Sequence, residues 1–270
     1  MTELSWVPEG IDITRPAGAR VYDYLLGGGH NFAADRAAAV RIEQILPRAR
    51  PIAQSNRAFL RRAVRYMVQR GVTRFLDLGS GIPTVGNVHE IAQRASPDSR
   101  VIYVDCEPVA VAHSAMLLNG DDRACVVQAD LTDPDSVLAA PAVRELLDAD
   151  EPIGLLMVAV HHFVPDERDP AGLVARYRDA VPDGSLVAIS HLTADHDPEG
   201  MAQVSAVMAA SPDPMFFRPR HQVLRLFDGT DLVEPGLVDA PRWRPETDPP
   251  AEENSVLGVY AGVARIRDGD

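Results

Sequence analysis

The fold is decided by Phe75-Leu76-Asp77-Leu78-Gly79-Ser80-Gly81-Ile82-Pro83-Thr84. An apolar run of strand character, Val72–Leu78, enters a Gly-Ser-Gly turn and leaves it as a segment of helical length, about 84–95. Such a turn lets the backbone approach a ligand closely, and the helix that follows offers unpaired N–H groups. A Gly-x-Gly alone is a weak signal, so its neighbours must say what it holds. A dinucleotide fingerprint wants Gly or Ala three positions after the second Gly, where this chain has Thr84. It also wants apolar residues ahead of the first Gly, where Asp77 stands. A carboxylate in that place repels a pyrophosphate and suits a cationic ligand.

Downstream, short apolar runs alternate with helical segments. Val101–Val104, Ala124–Gln128, Ile153–Val160 and Ser185–Ser190 read as strands, with helices over about 108–119, 134–149 and 170–180 between them. This alternation means a parallel sheet covered on both faces. Beyond the fifth strand, Asp197-Pro198 opens a helix to about Ala210, and a Pro-rich loop follows over Ser211–Pro219. Strand candidates near Leu237–Trp243 and over Val256–Ile266, separated by an acidic Pro-rich loop at 245–254, suggest an antiparallel pair at a sheet edge. Upstream, residues 1–13 read as a loose arm, followed by helices over Ala17–Leu26, Ala33–Leu46 and Ser55–Gln69. Residues 1–70 therefore read as helical with no strand signal, expected to belong to the same domain as the alternating core at 71–270.

Two more acids stand at strand ends. Asp105 comes 24 residues after Gly81 and can accept two hydrogen bonds from a ribose diol. Asp130 can accept from an exocyclic adenine amine. Three acids at three consecutive strand ends point to one crevice and to a ligand with an amino group, a ribose and adenine, but no phosphate. Each has a plainer reading: Asp77 as a strand-end cap, Asp105 as the cap of the helix starting at Pro108, Asp130 as an Asx turn before Thr132. Glu107 reads as solvated.

Composition narrows the function further. In 270 residues, 46% are apolar and 24% charged, an ordinary globular balance. All 26 basic residues are Arg, which removes the lysine of a P-loop, a Schiff base or a kinase. The net charge of −13 disfavours nonspecific nucleic-acid binding. Cys106 and Cys125 are too few for a disulfide framework or a zinc cluster. No apolar run approaches the roughly 18–20 residues of a membrane span, so a soluble protein of a reducing cytoplasm is expected. His161 and His162 are adjacent and point apart in an extended chain, which argues against a shared metal.

These residues resemble the class I S-adenosylmethionine-dependent methyltransferases. More specifically, Arg15-Pro16, the stretch from Ala19 to Gly28, and the stretch from Asn31 to Arg36 resemble an actinobacterial S-adenosyl methyltransferase family, long carried as a domain of unknown function. So do the stretches Asn56–Leu60, His162–Asp166, Glu234–Val238 and Trp243–Pro245, and the similarity covers about residues 8–266. The resemblance implies a Rossmann-like α/β fold with a seven-stranded, mostly parallel sheet, first and fourth strands side by side. It implies S-adenosyl-L-methionine as cofactor. Asp77, Gly79, Ser80 and Gly81 would form the first cofactor loop. Asp105, with Cys106 beside it, would hold the ribose, and Asp130 with Leu131 would read adenine. Ala159 to His162 would flank the methionine side, although an apolar residue is expected more often at His161. The N-terminal helices would bring Tyr22, Asn31, Asn56 or Arg57 over the cofactor, and Phe216–Arg218 could wall a substrate.

The expected reaction is methyl transfer to a small molecule, with His162 the candidate general base and no metal involved. The alternative is a non-catalytic module that senses the cofactor or its demethylated product. A pocket open toward Tyr22, His162 and the Phe216–Arg218 loop favours catalysis, and a sealed one favours sensing. A nicotinamide-dependent dehydrogenase is disfavoured by Asp77 and Thr84.

Overall fold

The computed structural model describes residues 8, 11–83, 86–209, 211–246 and 257–267. Thr84, Ala210 and most of the acidic loop at 245–254 lie outside them. Three helices open the chain: α1 (Gly18–Leu25), α2 (Ala33–Ile45) and α3 (Ala49–Gln69). The alternating part follows as β1 (Arg74–Leu78), α4 (Val88–Ala95), β2 (Arg100–Asp105), α5 (Pro108–Leu117) and β3 (Ala124–Gln128). Next come α6 (Pro134–Ala139), α7 (Pro141–Leu147), β4 (Ile153–Val158), α8 (Pro170–Arg178) and β5 (Leu186–Leu192). The chain closes with α9 (Pro198–Met208), α10 (Arg220–Arg225), β6 (Thr230–Leu232), β7 (Val238–Asp239) and β8 (Val259–Ile266).

The strands form one sheet in the order β3-β2-β1-β4-β5-β8-β6, with β7 also paired to β8. β1 to β5 run parallel, and β6, β7 and β8 are antiparallel to their neighbours. β1 and β4 are neighbours, so the strand order reverses there and opens a crevice at the carboxyl ends, where open α/β sheets bind ligands. Alternation along the strands divides two cores. Leu76, Leu78, Leu155, Met157 and Ile189 face one side. Phe75, Leu156 and Ala188 face the other, packed on Phe59, Ala63 and Met67 of α3. No helix among the described residues is long and apolar enough to cross a membrane.

Four expectations need correction. The third helix starts at Ala49 rather than Ser55, because Pro51 falls in its first turn, where the missing N–H has no intrahelical use. The segment at 134–149 is two helices, since Pro141 forces Ala140 to extended geometry (φ −60°, ψ 133°). The sheet has eight strands, not seven: β6 is three residues long and carries no readable period. β7 and β8 do pair antiparallel, but β8 lies inside the sheet between β5 and β6 instead of at its edge.

Candidate functional site

β1 feeds directly into the Gly79–Gly81 turn. Gly79 has φ 71°, and a Cβ there would overlap Val160 Cγ2 just past β4, so glycine is required twice over. Gly79 N and Ser80 N both donate to Val104 O of β2, at 2.8 and 3.2 Å. Gly81 (φ 66°) donates its N–H to Asp105 Oδ2 at 2.7 Å, while Asp105 Oδ1 accepts from Glu107 N at 2.9 Å. Asp105 thus braces the turn. Its two oxygens offer about four lone-pair sites, so acceptor capacity remains beyond the backbone N–H groups of Gly81, Glu107 and Cys106. The helix cap expected of Asp105 belongs to Glu107, whose carboxylate accepts from Ala110 N at 2.7 Å. Glu107 is not simply solvated: it also pairs with buried Arg20, at 2.7 Å.

β4 ends in an unusual residue. Ala159 is left-handed (φ 58°) without being glycine, a strained geometry that needs support. The support comes from β5: Ala159 N donates to Ser190 O at 3.1 Å and to Ser190 Oγ at 2.9 Å. Ser190 Oγ donates to Asn56 Oδ1 at 2.5 Å, Asn56 Nδ2 donates to Tyr22 Oη at 3.0 Å, and Tyr22 Oη donates to Ala53 O at 3.1 Å. One hydrogen-bond chain therefore joins the end of β4 to α3 and α1 of the cover. At the other end of α1, Gly18 N donates to Asp213 Oδ2 at 2.7 Å. A Cβ on Gly18 would come within 2.6 Å of the Phe163 ring, so glycine lets α1 sit close over the 161–163 turn.

These elements enclose a cavity of about 540 Å³. Tyr22, Asn56, Asp77, Gly79, Ser80, Gly81, Asp105, Cys106, Asp130, Leu131, Ala159 and His162 all line it. Asn31 does not. It is buried against Asp23, to which its Nδ2 donates at 2.8 Å, and it accepts from Arg36. The loop after α9 contributes Pro212 to Met215 rather than the expected Phe216–Arg218. Arg218 is instead a buried clamp, donating to His161 O, Val164 O and Asp166 Oδ1 and to His191 Nε2. His161 lies outside the cavity lining, buried, with its Nε2 3.1 Å from Met157 Sδ. Asp130 makes the Asx turn expected of it, its Oδ1 accepting from Thr132 N at 2.8 Å, and it also lines the cavity.

The cavity is strongly acidic on the strand-end side. Burial pushes Asp77 up to about 7; Arg57 pulls against that shift and Asp105 adds to it. Burial raises Asp105 as well. At the rim, burial of the thiol and the carboxylates of Asp105, Asp130 and Asp213 push Cys106 up to about 12. Arg57 is the cation facing Asp77, and its buried Nε has no hydrogen-bond partner. Ser80 Oγ and His162 Nδ1 are also buried and unpartnered. Burial, then His191, His161 and Arg218, lower the His162 pKa well below that of free histidine, so the ring is neutral. Among the described residues no group of three or more His, Cys, Asp or Glu side chains could hold a metal ion. The donor set fits a ligand carrying a cation and a carboxylate at one end and a diol farther along.

Sequence reasoning missed Asp213 and the methionines Met201, Met208 and Met215, which no spacing marked. The motif residues at 19–36 are largely architectural. Asp35 accepts from Ala17 N and Phe32 N and pairs with Arg20 at 3.0 Å, and Asp23 accepts from His30 N and Asn31.

Comparison with known proteins bears on the family and the fold. A family model described as S-adenosyl methyltransferase matches residues 4–267. A crystal structure of a DUF574 family protein from Streptomyces avermitilis MA-4680 superposes with a TM-score of 0.88 at 37% identity, covering 94% of this chain and 100% of that one. A protein from Thermobifida fusca YX, provisionally described as a methyltransferase, gives a TM-score of 0.90 at 36% identity, with 98% and 100% covered. The N-methyltransferase NodS from Bradyrhizobium japonicum WM9, in complex with S-adenosylhomocysteine, shares the fold alone (TM-score 0.52, 11% identity, 92% and 100% covered). No curated protein matches the sequence.

Proposed function

This chain belongs to the S-adenosyl methyltransferase family and is an S-adenosylmethionine-dependent methyltransferase of class I fold; we propose that it methylates a small molecule held beside His162. The observation that carries the site assignment is that Asp77, Asp105 and Asp130, from the ends of three adjacent strands, line one cavity with the Gly79–Gly81 turn.

When bound, S-adenosylmethionine supplies a methyl carbon on a sulfonium that departs as a neutral thioether, so the protein mainly has to position the partners and exclude water. Asp77 balances the positive charge of the methionine end, and Arg57 meets its carboxylate. Asp105 accepts from the ribose hydroxyls, with Cys106 at the same rim. Asp130 and Leu131 meet adenine. Tyr22 and Asn56 close the cavity from above. His162, neutral and with Nδ1 free, accepts a hydrogen bond from the acceptor's hydroxyl or amine and orients its lone pair. Ala159, held left-handed by Ser190, places the 161–163 turn so that His162 faces inward. The cavity continues past Tyr22 and His162, which favours turnover over sensing. The cytoplasm is the proposed compartment.

The test is calorimetry of S-adenosylhomocysteine with the full chain. Wild type binds, and Asp105→Ala, with unchanged circular dichroism, loses at least tenfold in affinity. Absence of heat with well-folded wild type, or wild-type affinity in Asp105→Ala, removes the reading. Once an acceptor turns over, an unchanged kcat in His162→Ala removes the role given to that ring.

A further inference from the structure

The cavity has two chemically distinct halves, and the second is unexplained by a nucleoside cofactor. Asp77, Asp105 and Asp130 stand at the strand ends, Arg57 faces Asp77 from α3, and Arg168 and Asp213 join the lining from the turn before α8 and the loop after α9. Under the cover the wall is apolar: Leu25 of α1, Ile42 of α2, Ala49 and Ala53 of α3, and Val204 and Met208 of α9. These six side chains belong to a small cluster separate from the two sheet cores. Two are alanines, which leave space, and Met208 adapts to shape. Along α3 the lining runs from Ala49 through Ala53 to Asn56 and Arg57, a distance of about 12 Å at 1.5 Å per residue.

At the junction of the halves stand polar atoms with unused capacity. Tyr22 Oη donates once and accepts once, which leaves a lone pair; Asn56 Nδ2 has a second N–H; His162 Nδ1 has no partner. The three groups line the same cavity, one N–H donor and two acceptor sites among them, while the six side chains under the cover are hydrocarbon.

We propose that the methyl acceptor is an uncharged, mostly apolar small molecule with its nucleophilic oxygen or nitrogen at one end. That end lies at Tyr22, Asn56 and His162, and the apolar body fills the chamber between α1, α2, α3 and α9. This rests on the methyltransferase reading above. A charged or doubly polar body is disfavoured there because the side chains of Leu25, Ile42, Ala49, Ala53, Val204 and Met208 offer it no hydrogen-bond partners. From Asn56 back to Ala49 the wall spans about 10 Å at 1.5 Å per residue, which at about 1.2 Å per bond accommodates on the order of eight methylenes.

The experiment titrates linear alkan-1-ols of four to ten carbons into the S-adenosylhomocysteine-loaded full chain by calorimetry. Affinity should rise about fourfold per added carbon, the fold-change that roughly 0.8 kcal/mol per buried CH2 corresponds to, and level off near the chamber's length. Octane-1,8-diol, which must bury a second hydroxyl, should bind at least tenfold more weakly than octan-1-ol. Ala49→Leu and Val204→Phe, which fill the chamber, should each cost at least tenfold in octan-1-ol affinity. No alkanol binding, equal affinity for butanol and octanol, or equal affinity for octanol and the diol overturns the proposal. So does wild-type octanol binding in either folded variant; should both variants fail to fold, the chain-length and diol series decide alone. A failure of S-adenosylhomocysteine itself to bind strikes the cofactor reading instead, and the same series on ligand-free protein still reports on the chamber.

Discussion

Replacing Asp77 with Asn should stabilise the ligand-free protein and weaken its hold on S-adenosylmethionine, and the two effects share one cause. Burial raises the Asp77 carboxyl from an ordinary 3.8 to about 7. The folded protein therefore binds this proton more tightly than the unfolded chain does. Between pH 4 and 7 the folded state carries the extra proton, so Asp77 lowers stability progressively as pH rises through that window. Above pH 7 the full penalty applies: about three pH units at roughly 1.4 kcal/mol each, or about 4 kcal/mol as an upper bound. At pH 5 it is roughly 2 kcal/mol, and at pH 4 it nearly vanishes. Asn carries no such charge. Melts of the variant against wild type should thus differ most at pH 8, by up to roughly 8–16 °C at about 2–4 °C per kcal/mol, by about half that at pH 5, and little at pH 4. Calorimetry with S-adenosylmethionine at pH 8 should show at least a tenfold loss in the variant. Wild-type affinity should itself rise with pH up to about 7, with uptake of the ligand releasing a proton at pH 6. A stability gain independent of pH, or a variant that binds S-adenosylmethionine like wild type, refutes the idea that the buried carboxylate is kept for a cation.

Gly79→Ala should destabilise by about 2–5 kcal/mol, since it combines a left-handed residue with overlap on Val160, whereas Gly81→Ala, with open space around its Cβ, should cost only about 1–2 kcal/mol. Equal melting temperatures for the two variants would discount the Val160 contact. Asn56→Leu keeps the volume but leaves the Ser190 hydroxyl without its acceptor and Tyr22 Oη without its donor, and should cost about 1–3 kcal/mol, read as a fall in Tm. A melt identical to wild type would show that the hydrogen-bond chain does not hold the cover to the sheet.

The alternating strands and helices, the glycine turn and the acids at the strand ends were readable from residue order because each is a local signal. Apolar period, turn chemistry and a strand's last residue all depend on near neighbours. Proline gave mixed guidance for the same local reason: Pro141 breaks a helix while Pro51 hides inside one, and only position within the first turn separates them. What residue order could not supply was everything settled by contacts between distant segments. Asn31 and Asn56 both stand in conspicuous polar motifs. The fold ties Asn31 to Asp23, away from the cavity, and sets Asn56 between Tyr22 and Ser190, 134 positions apart from it, on the cavity wall. Asp213 likewise gains its place only when α1 presents Gly18 to it. Nothing along the chain announces an apolar chamber, because Leu25, Ala49 and Val204 look like any core residues until packing leaves a gap between them. A charge or a turn is specified by the residues beside it, whereas an empty volume belongs to none of its walls.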